Sequence, residues 1–513
     1  MAFILHRTSS ITSPLAALLL LVLTLSGCQM LGKKPPTTTG NTVTQSASSV
    51  NETPDEASGY AAKALQLEQQ QQNVAALDVW LAQTPLLMDD GDMRANSRNV
   101  WRVLSQMRND EFAQLLRREH AQLLGGWVSL AYIQRLGSSD LEKQAEQLQD
   151  WQRSWPMHPA NRYLPEDMKL LRRLKEDQPK HIALLLPFSG KRANVGQAIR
   201  DGFLAAYYRS LAAGAPAVTI DMIDTESSPD ILSLYGAAVA GGAQLVIGPV
   251  EREQVQVLAN EPALAVPVLA LNEVRNQTPA NLYQFSLNPE EEAIQTANAA
   301  RASQFQRALI ITGDNERGRR LAERFEQQWK SLGGSVSAIA RYSPERSNYN
   351  EVIGQVLADP AGTAKRRQDI DMVFLVGKSK EASQVLPSLA FHYADDLPVY
   401  GLSDIYDPQQ AISGRDLDGV HLCLTPWQAG KGGLTTSIQT ISPPAAGLDQ
   451  LYAMGADSQP LYIRLALMEA NPNLAIDGHT GYLRLNKERH ITRGLVWAVM
   501  QNGRPAPLPD IVQ

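Results

Sequence analysis

Leu25-Ser26-Gly27-Cys28 is the run whose residue types and spacing speak most directly of chemistry. Small residues ahead of a cysteine form a bacterial lipobox, in which the thiol is the nucleophile that takes up lipid, so no other side chain can replace Cys28. The upstream residues agree. His6 and Arg7 make a weakly basic start, and Leu15 to Leu25 form an apolar run of signal-peptide length, short of the about 20 residues a bilayer demands. Residues 1–27 are therefore read as a signal peptide and Cys28 as an N-palmitoyl, S-diacylglycerol cysteine. Gln29 stands where an inner-membrane retention signal has Asp, so the expected destination is the outer membrane, facing the periplasm.

Other constellations come close to chemistry and stop short. Gly313-Asp-Asn-Glu-Arg-Gly318 imitates a phosphate loop, but Arg319 replaces its Lys and no Ser or Thr follows, which leaves a turn between strand and helix. His392, Asp395 and Asp396 are metal-ligand types at a helix end, where a solvated cap is the commoner arrangement. Glu290-Glu291-Glu292 follows Asn288-Pro289, and acids in a first helical turn complement the helix dipole. Cys423 lies in the apolar run Val420-His421-Leu422-Cys423-Leu424 and reads as a buried structural residue. No His-Glu-x-x-His pair and no Gly-x-Ser-x-Gly elbow occurs. The expectation is no catalytic residue, no metal and no cofactor.

The elements that would position any site follow from composition and periodicity. The chain has 513 residues, 44% hydrophobic, with a formal net charge of −6, which supplies ample core and argues against nucleic acid as a partner. Residues 28–55, with Pro35-Pro36 and a Thr triplet, bury too little to order themselves and read as a lipidated flexible tether. About 27 such residues reach about 90 Å fully extended and about 30 Å as an r.m.s. coil.

Residues 56–178 carry helical spacing in pairs. Ala61 and Leu65 precede Val74 and Leu77; Val100 and Leu104 precede Phe112 and Leu115; Trp127 and Leu130 precede Leu148 and Trp151. Pairs at intervals of about 35 residues suggest a tetratricopeptide-like array, with Ser139 and Asp140 capping its last helix. The prolines of Trp155-Pro156-Met-His158-Pro159 are expected to end the helices. Asp177-Gln178-Pro179-Lys180 is the expected hinge, because His181-Ile-Ala-Leu-Leu-Leu186 then opens a strand buried on both faces. Further strands are expected at 218–223, 244–247, 266–270, 308–312, 372–376 and 420–424, with helices between most of them, as at 317–329 and 380–394. Residues 179–513 thus read as an α/β body with two doubly wound parallel sheets side by side.

His181 to Gly190, Gly196 and Asp201-Gly202-Phe203, then Asp224-Thr225, Gly242 to Pro249 and Pro267 to Asn272, resemble the opening of a type I periplasmic-binding-protein fold. With the lipobox, the helical array and Ile476-Asp-Gly-His-Thr-Gly481, the mature chain resembles the LpoA family of outer-membrane lipoproteins. That resemblance implies a non-catalytic regulator of peptidoglycan synthesis, which docks on a bifunctional class A penicillin-binding protein and stimulates its transpeptidase. The alternative is a periplasmic solute-binding or ligand-sensing lipoprotein. Relatives of the fold place ligand donors at positions matched here by Ser189, Gly190, Gly248 and Asn272, although Glu251 nearby would repel a carboxylate.

Overall fold

The structure is a computed structural model. It describes residues 53–508 apart from 119, 136–140, 177, 276–278, 407–415, 431–446 and 473. The leader, Cys28 and the tether as far as residue 52 lie outside the described residues, as do Ser139 and Asp140. All described residues belong to one compact unit, Thr53–Gln513.

Three helix pairs come first: α1 (Thr53–Gln69) with α2 (Asn73–Gln83), α3 (Asp90–Gln106) with α4 (Asn109–Leu116), and α5 (Gln122–Arg135) with α6 (Leu141–Ser154). Helix α1 begins inside the stretch read as tether. Asp89 caps α3 by accepting the N–H groups of Gly91 and Asp92. The prolines after α6 do not end the helices. A short α7 (Pro159–Arg162) and then α8 (Glu166–Glu176) follow, because Pro159 occupies the first helical position, where its missing N–H has no intrahelical partner to lose. His158 caps α7: its Nδ1 accepts from Ala160 N, which leaves Nε2–H to donate to Leu123 O at 2.8 Å. Trp127, Trp151 and Trp155 all meet that ring edge-on. Burial holds the His158 ring below its ordinary pKa and therefore neutral.

Two twisted sheets form the rest. The first lobe holds β1 (His181–Leu186), β2 (Thr219–Asp224), β3 (Leu245–Ile247), β4 (Val268–Ala270) and β5 (Leu282–Phe285), with α9 (Ala193–Ala212), α10 (Ile231–Ala240) and α11 (Arg252–Ala259) between them. The second holds β6 (Arg307–Gly313), β7 (Ser335–Tyr342), β8 (Met372–Val376), β9 (Val399–Gly401) and β10 (His421–Leu424). Its helices are α12 (Pro289–Ala302), α13 (Glu316–Ser331), α14 (Tyr349–Leu357) and α15 (Ser379–Phe391). The chain then returns to the first lobe through α16 (Asp449–Ala470), β11 (Ile476–Asp477), β12 (Tyr482–Leu485) and β13 (His490–Gly494). It ends in the second with β14 (Val496–Gln501) and β15 (Arg504–Pro507). The sheet orders are β11-β12-β13-β5-β4-β3-β1-β2 and β15-β14-β10-β9-β8-β6-β7. Strands β1 to β10 and β13 pair in parallel within their sheets, while β12 and β14 add antiparallel rims. This is the two-lobed arrangement of type I periplasmic binding proteins, with three crossings between lobes, after β5, β10 and β13.

The segment expected to hinge at Asp177–Lys180 joins two parts that share a core. One apolar cluster runs from Leu77, Trp101 and Trp127 through Leu171 to Leu184, Phe203 and Leu467. Buried polar contacts lock the same seam. Asp167, on α8, accepts from Trp101 Nε1 (3.3 Å), Gln134 Nε2 (2.9 Å) and, just past the end of α16, Asn471 Nδ2 (2.9 Å). A connector flanked by such a seam does not act as a hinge.

Candidate functional site

Ser189, Gly190, Gly248 and Asn272 follow β1, β3 and β4, so the sheet order brings them to one carboxyl edge of the first lobe. Each is occupied by local structure. The N–H groups of Phe188 and Ser189 donate to Asp224 Oδ1 at 2.8 and 3.4 Å, and against its burial the Ser189 side chain, with the Glu226, Phe188 and Ser189 N–H groups, holds that carboxyl below the usual range. Gly190 has φ +68, and a Cβ there would come within 3.2 Å of Glu226 Oε2. Gly248, at φ +103, lies with its α-carbon so close to Leu185 that a Cβ would meet the carbonyl oxygen at 2.0 Å. Asn272 donates to Val250 O at 2.8 Å and accepts from Glu273 N at 2.9 Å. Glu251, expected to repel a carboxylate, pairs with Arg192, so its charge is balanced. Across the cleft, at the carboxyl edge of the second lobe, Arg317 pairs with Asp404.

The other candidates also find structural partners. Gly313 ends β6, and Asn315 caps α13 by accepting Gly318 N at 2.8 Å. His392 Nε2 meets Asn350 O at 3.0 Å, while Asp396 holds both carboxylate oxygens to Arg366, so these residues do not converge on an ion. Cys423 is fully buried against Gly401 O and Thr296, and burial pushes its thiol far above the ordinary range.

Glu290, Glu291 and Glu292 do more than complement a dipole. Asn288 caps α12. The three acids then fan out across the hinge. Glu290 bridges the lobes, 2.7 Å from Arg275 after β4 and 2.9 Å from Arg320 on α13. Glu292 is 3% exposed and accepts Ser403 N and Oγ at 3.1 and 2.8 Å, with burial driving its carboxyl upward. Arg493, on β13 and 2% exposed, lies 3.7 Å from Glu292 and 3.8 Å from Glu291. Gln295 pins the crossing itself, donating to Arg493 O at 2.7 Å and accepting from Leu495 N at 3.1 Å. Nothing local in the sequence announces Arg493 and Leu495, which sit about two hundred residues from Gln295.

Beside this hinge lies an open cavity of about 550 Å³. Glu273 and Arg275 of the first lobe and Arg320 and Arg324 of the second line it, with Glu291 and His490 at the seam. None of the four strand-end candidates lines that cavity. Among the described residues, no group of three or more His, Cys, Asp or Glu is placed to hold a metal ion, and no helix is long and apolar enough to cross a membrane.

Comparison with known proteins gives the fold relatives. The family model described as "LppC putative lipoprotein" matches residues 42–503. A protein of Photobacterium profundum named "Penicillin-binding protein activator LpoA" is 24% identical over 441 residues, covering 81% of this chain and 71% of that protein. LpoA of Haemophilus influenzae superposes with a TM-score of 0.64 at 21% identity, over 90% of this chain and 83% of that one. The separate C-domain of the H. influenzae protein, described as a regulator of PBP1A, matches at a TM-score of 0.55 and 22% identity, over 64% of this chain and all of that domain.

Proposed function

The chain belongs to the LppC family of lipoproteins, and from that premise we propose that it is an outer-membrane lipoprotein that binds a bifunctional class A penicillin-binding protein and stimulates its transpeptidase. Cys28 is the lipid anchor, residues 28–55 the tether, 56–178 the helical domain that sets reach through the peptidoglycan, and 179–513 the part that contacts the synthase. The observation that carries the reading is kinship with proteins named as activators, in a family match that runs through the helical part and both lobes alike. The charged groups at the strand ends are paired locally. Arg192 and Glu251 pair within one lobe and Arg317 and Asp404 within the other, instead of converging on a reacting atom across the cleft. On this reading the chain acts as a regulator, as the names of its relatives have it, with no catalysis of its own.

The test is reconstitution. The purified chain, added to a class A penicillin-binding protein with lipid-linked substrate, should raise the cross-linked fraction of the product several-fold and co-purify with the enzyme. An unchanged cross-linked fraction, without co-purification, refutes the reading. A ligand-sensing role is favoured by one observation, the charged cavity beside the hinge.

A further inference from the structure

The cavity beside the hinge has its charges sorted by side. Glu273 and Glu291 form the acidic side, with the buried Arg493 behind Glu291. Glu273 accepts from two neutral donors, the Ser286 hydroxyl at 2.9 Å and the Asn288 amide. Glu291 has Arg493 at 3.8 Å, and its Oε2 is buried without a hydrogen-bond partner. The basic side has cation to spare. Arg275 and Arg320 share the carboxylate of Glu290, and among the described residues Arg324 meets only the amide oxygen of Gln327 at 3.4 Å, with Glu323 beside it at the rim. Ile294 is the one aliphatic residue in the lining, so an apolar ligand would strip water from these charges and return nothing.

We propose that this cavity binds a small zwitterion, an amino acid or short peptide, with its ammonium on Glu273 and Glu291 and its carboxylate on Arg324 and the Arg275–Arg320 pair.

The volume falls in the range of about 300–1,000 Å³ typical of small-molecule sites. The ammonium takes the part of the Glu291 carboxylate that faces the cavity, its Oε2 being turned inward to Arg493, and the carboxylate takes guanidinium N–H groups that Glu290 cannot fill. Since Glu273 and Arg275 belong to one lobe and Arg320 and Arg324 to the other, the ligand binds best at one lobe spacing and biases the hinge toward it. The site is separate from the strand-end loops of Ser189, Gly248 and Asn272, and it does not depend on the activator reading.

Burial holds the Glu291 carboxyl up at about 7, Arg493 working against it and Glu273 and Glu292 with it. An ammonium beside Glu291 favours its ionised form, so binding at neutral pH expels protons. His490, bonded to Gln284, and the Glu290 clasp also face the cavity and belong in any account of its pH dependence.

Titration calorimetry on the full chain in detergent tests this without any synthase. The probes are alanine, dialanine, N-acetyl-dialanine, which lacks the ammonium, and dialanine amide, which lacks the carboxylate. Alanine and dialanine separate a free amino acid from a peptide. Each blocked analogue should bind about tenfold or more weakly than dialanine, a loss of about 1.4 kcal/mol or more. Glu291→Gln should weaken dialanine and leave N-acetyl-dialanine unchanged, while Arg324→Gln should weaken dialanine and leave the amide unchanged. The heat observed at pH 7 should vary with the ionisation heat of the buffer, and Glu291→Gln should abolish that variation. No heat with either zwitterion up to about 10 mM, or equal affinity for free and blocked forms, overturns the proposal. A failed cross-linking assay would leave these titrations untouched.

Discussion

Asp457, on α16 and 1% exposed, accepts the N–H groups of His479 and Thr480 at 2.6 and 2.8 Å and the Thr480 hydroxyl at 2.7 Å. That is the physical content of Ile476-Asp-Gly-His-Thr-Gly481. The turn is legible in the sequence, but the acid that fastens it is carried on another element. Asp457→Ala strands three donors in the interior and should cost about 3 kcal/mol, read as a lowered melting temperature. Asp457→Asn keeps one acceptor oxygen and should cost less. Glu291 has the opposite character. Its folded pKa of about 7 lies above its unfolded value of 4.5, so the folded state holds an extra proton between the two. Its stabilising contribution is complete below pH 4.5 and is lost as pH rises through 7. Urea unfolding should find Glu291→Gln about equal to the unmodified chain in acid and about 2 kcal/mol more stable at pH 8. A difference that does not change with pH would contradict the assignment.

Helices α9 and α16 approach each other through paired glycines. A Cβ on Gly202 would lie 2.0 Å from Tyr452 O, and one on Gly455 would lie 1.9 Å from Ile199 O. The Asp201-Gly202-Phe203 motif is thus a close-packing device, and Phe203 beside it fills the core. Alanine normally gains about 1 kcal/mol over glycine in a helix interior, but here the obstacle is rigid backbone, so sterics win. Gly202→Ala should lower stability by about 2 kcal/mol, measured by thermal melting. How far the elements can be read from the sequence follows the same logic of local against distant partners. Strands β1 and β8 announce themselves because they are buried on both faces and therefore continuously apolar. Strand β7, largely half-buried, gives no such run, and β5 and β13 are only four and five residues long. The register that makes β13 a strand is set by β5, some two hundred residues earlier, which no window of local sequence contains. The candidate cavity was hidden for the same reason, since its two sides come from different lobes.

At the scale of the molecule, the helical part and the first lobe share one core, and Asn471, just past α16, and Arg464 of α16 reach across to Asp167 and Gln144. A chain of residues 178–513 should fold, as the separate C-domain of the H. influenzae protein does. It should melt about 5 °C or more below the full chain, having lost the cover over Leu467 and the partners of Asn471. Cross-linking stimulation should survive in that fragment, and its loss would move the synthase contact to the helices. Cys28→Ser should abolish palmitate labelling and move the body from the membrane fraction to the soluble one. Labelling that persists would place the anchor elsewhere.

Strand β13 lies between β12 and β5 in one sheet, and β14 lies between β15 and β10 in the other, so residues 490–501 supply interior strands to both lobes. A ribosome makes these residues after β1 to β5, β11 and β12 of the first sheet and after β6 to β10 of the second. Neither sheet is finished until they arrive, and a chain stopped at residue 480 lacks β12 to β15 and leaves β5 and β10 as bare edges. These late strands therefore act as a check on synthesis, because only a chain that extends through β15 can cover those edges before proteases find them.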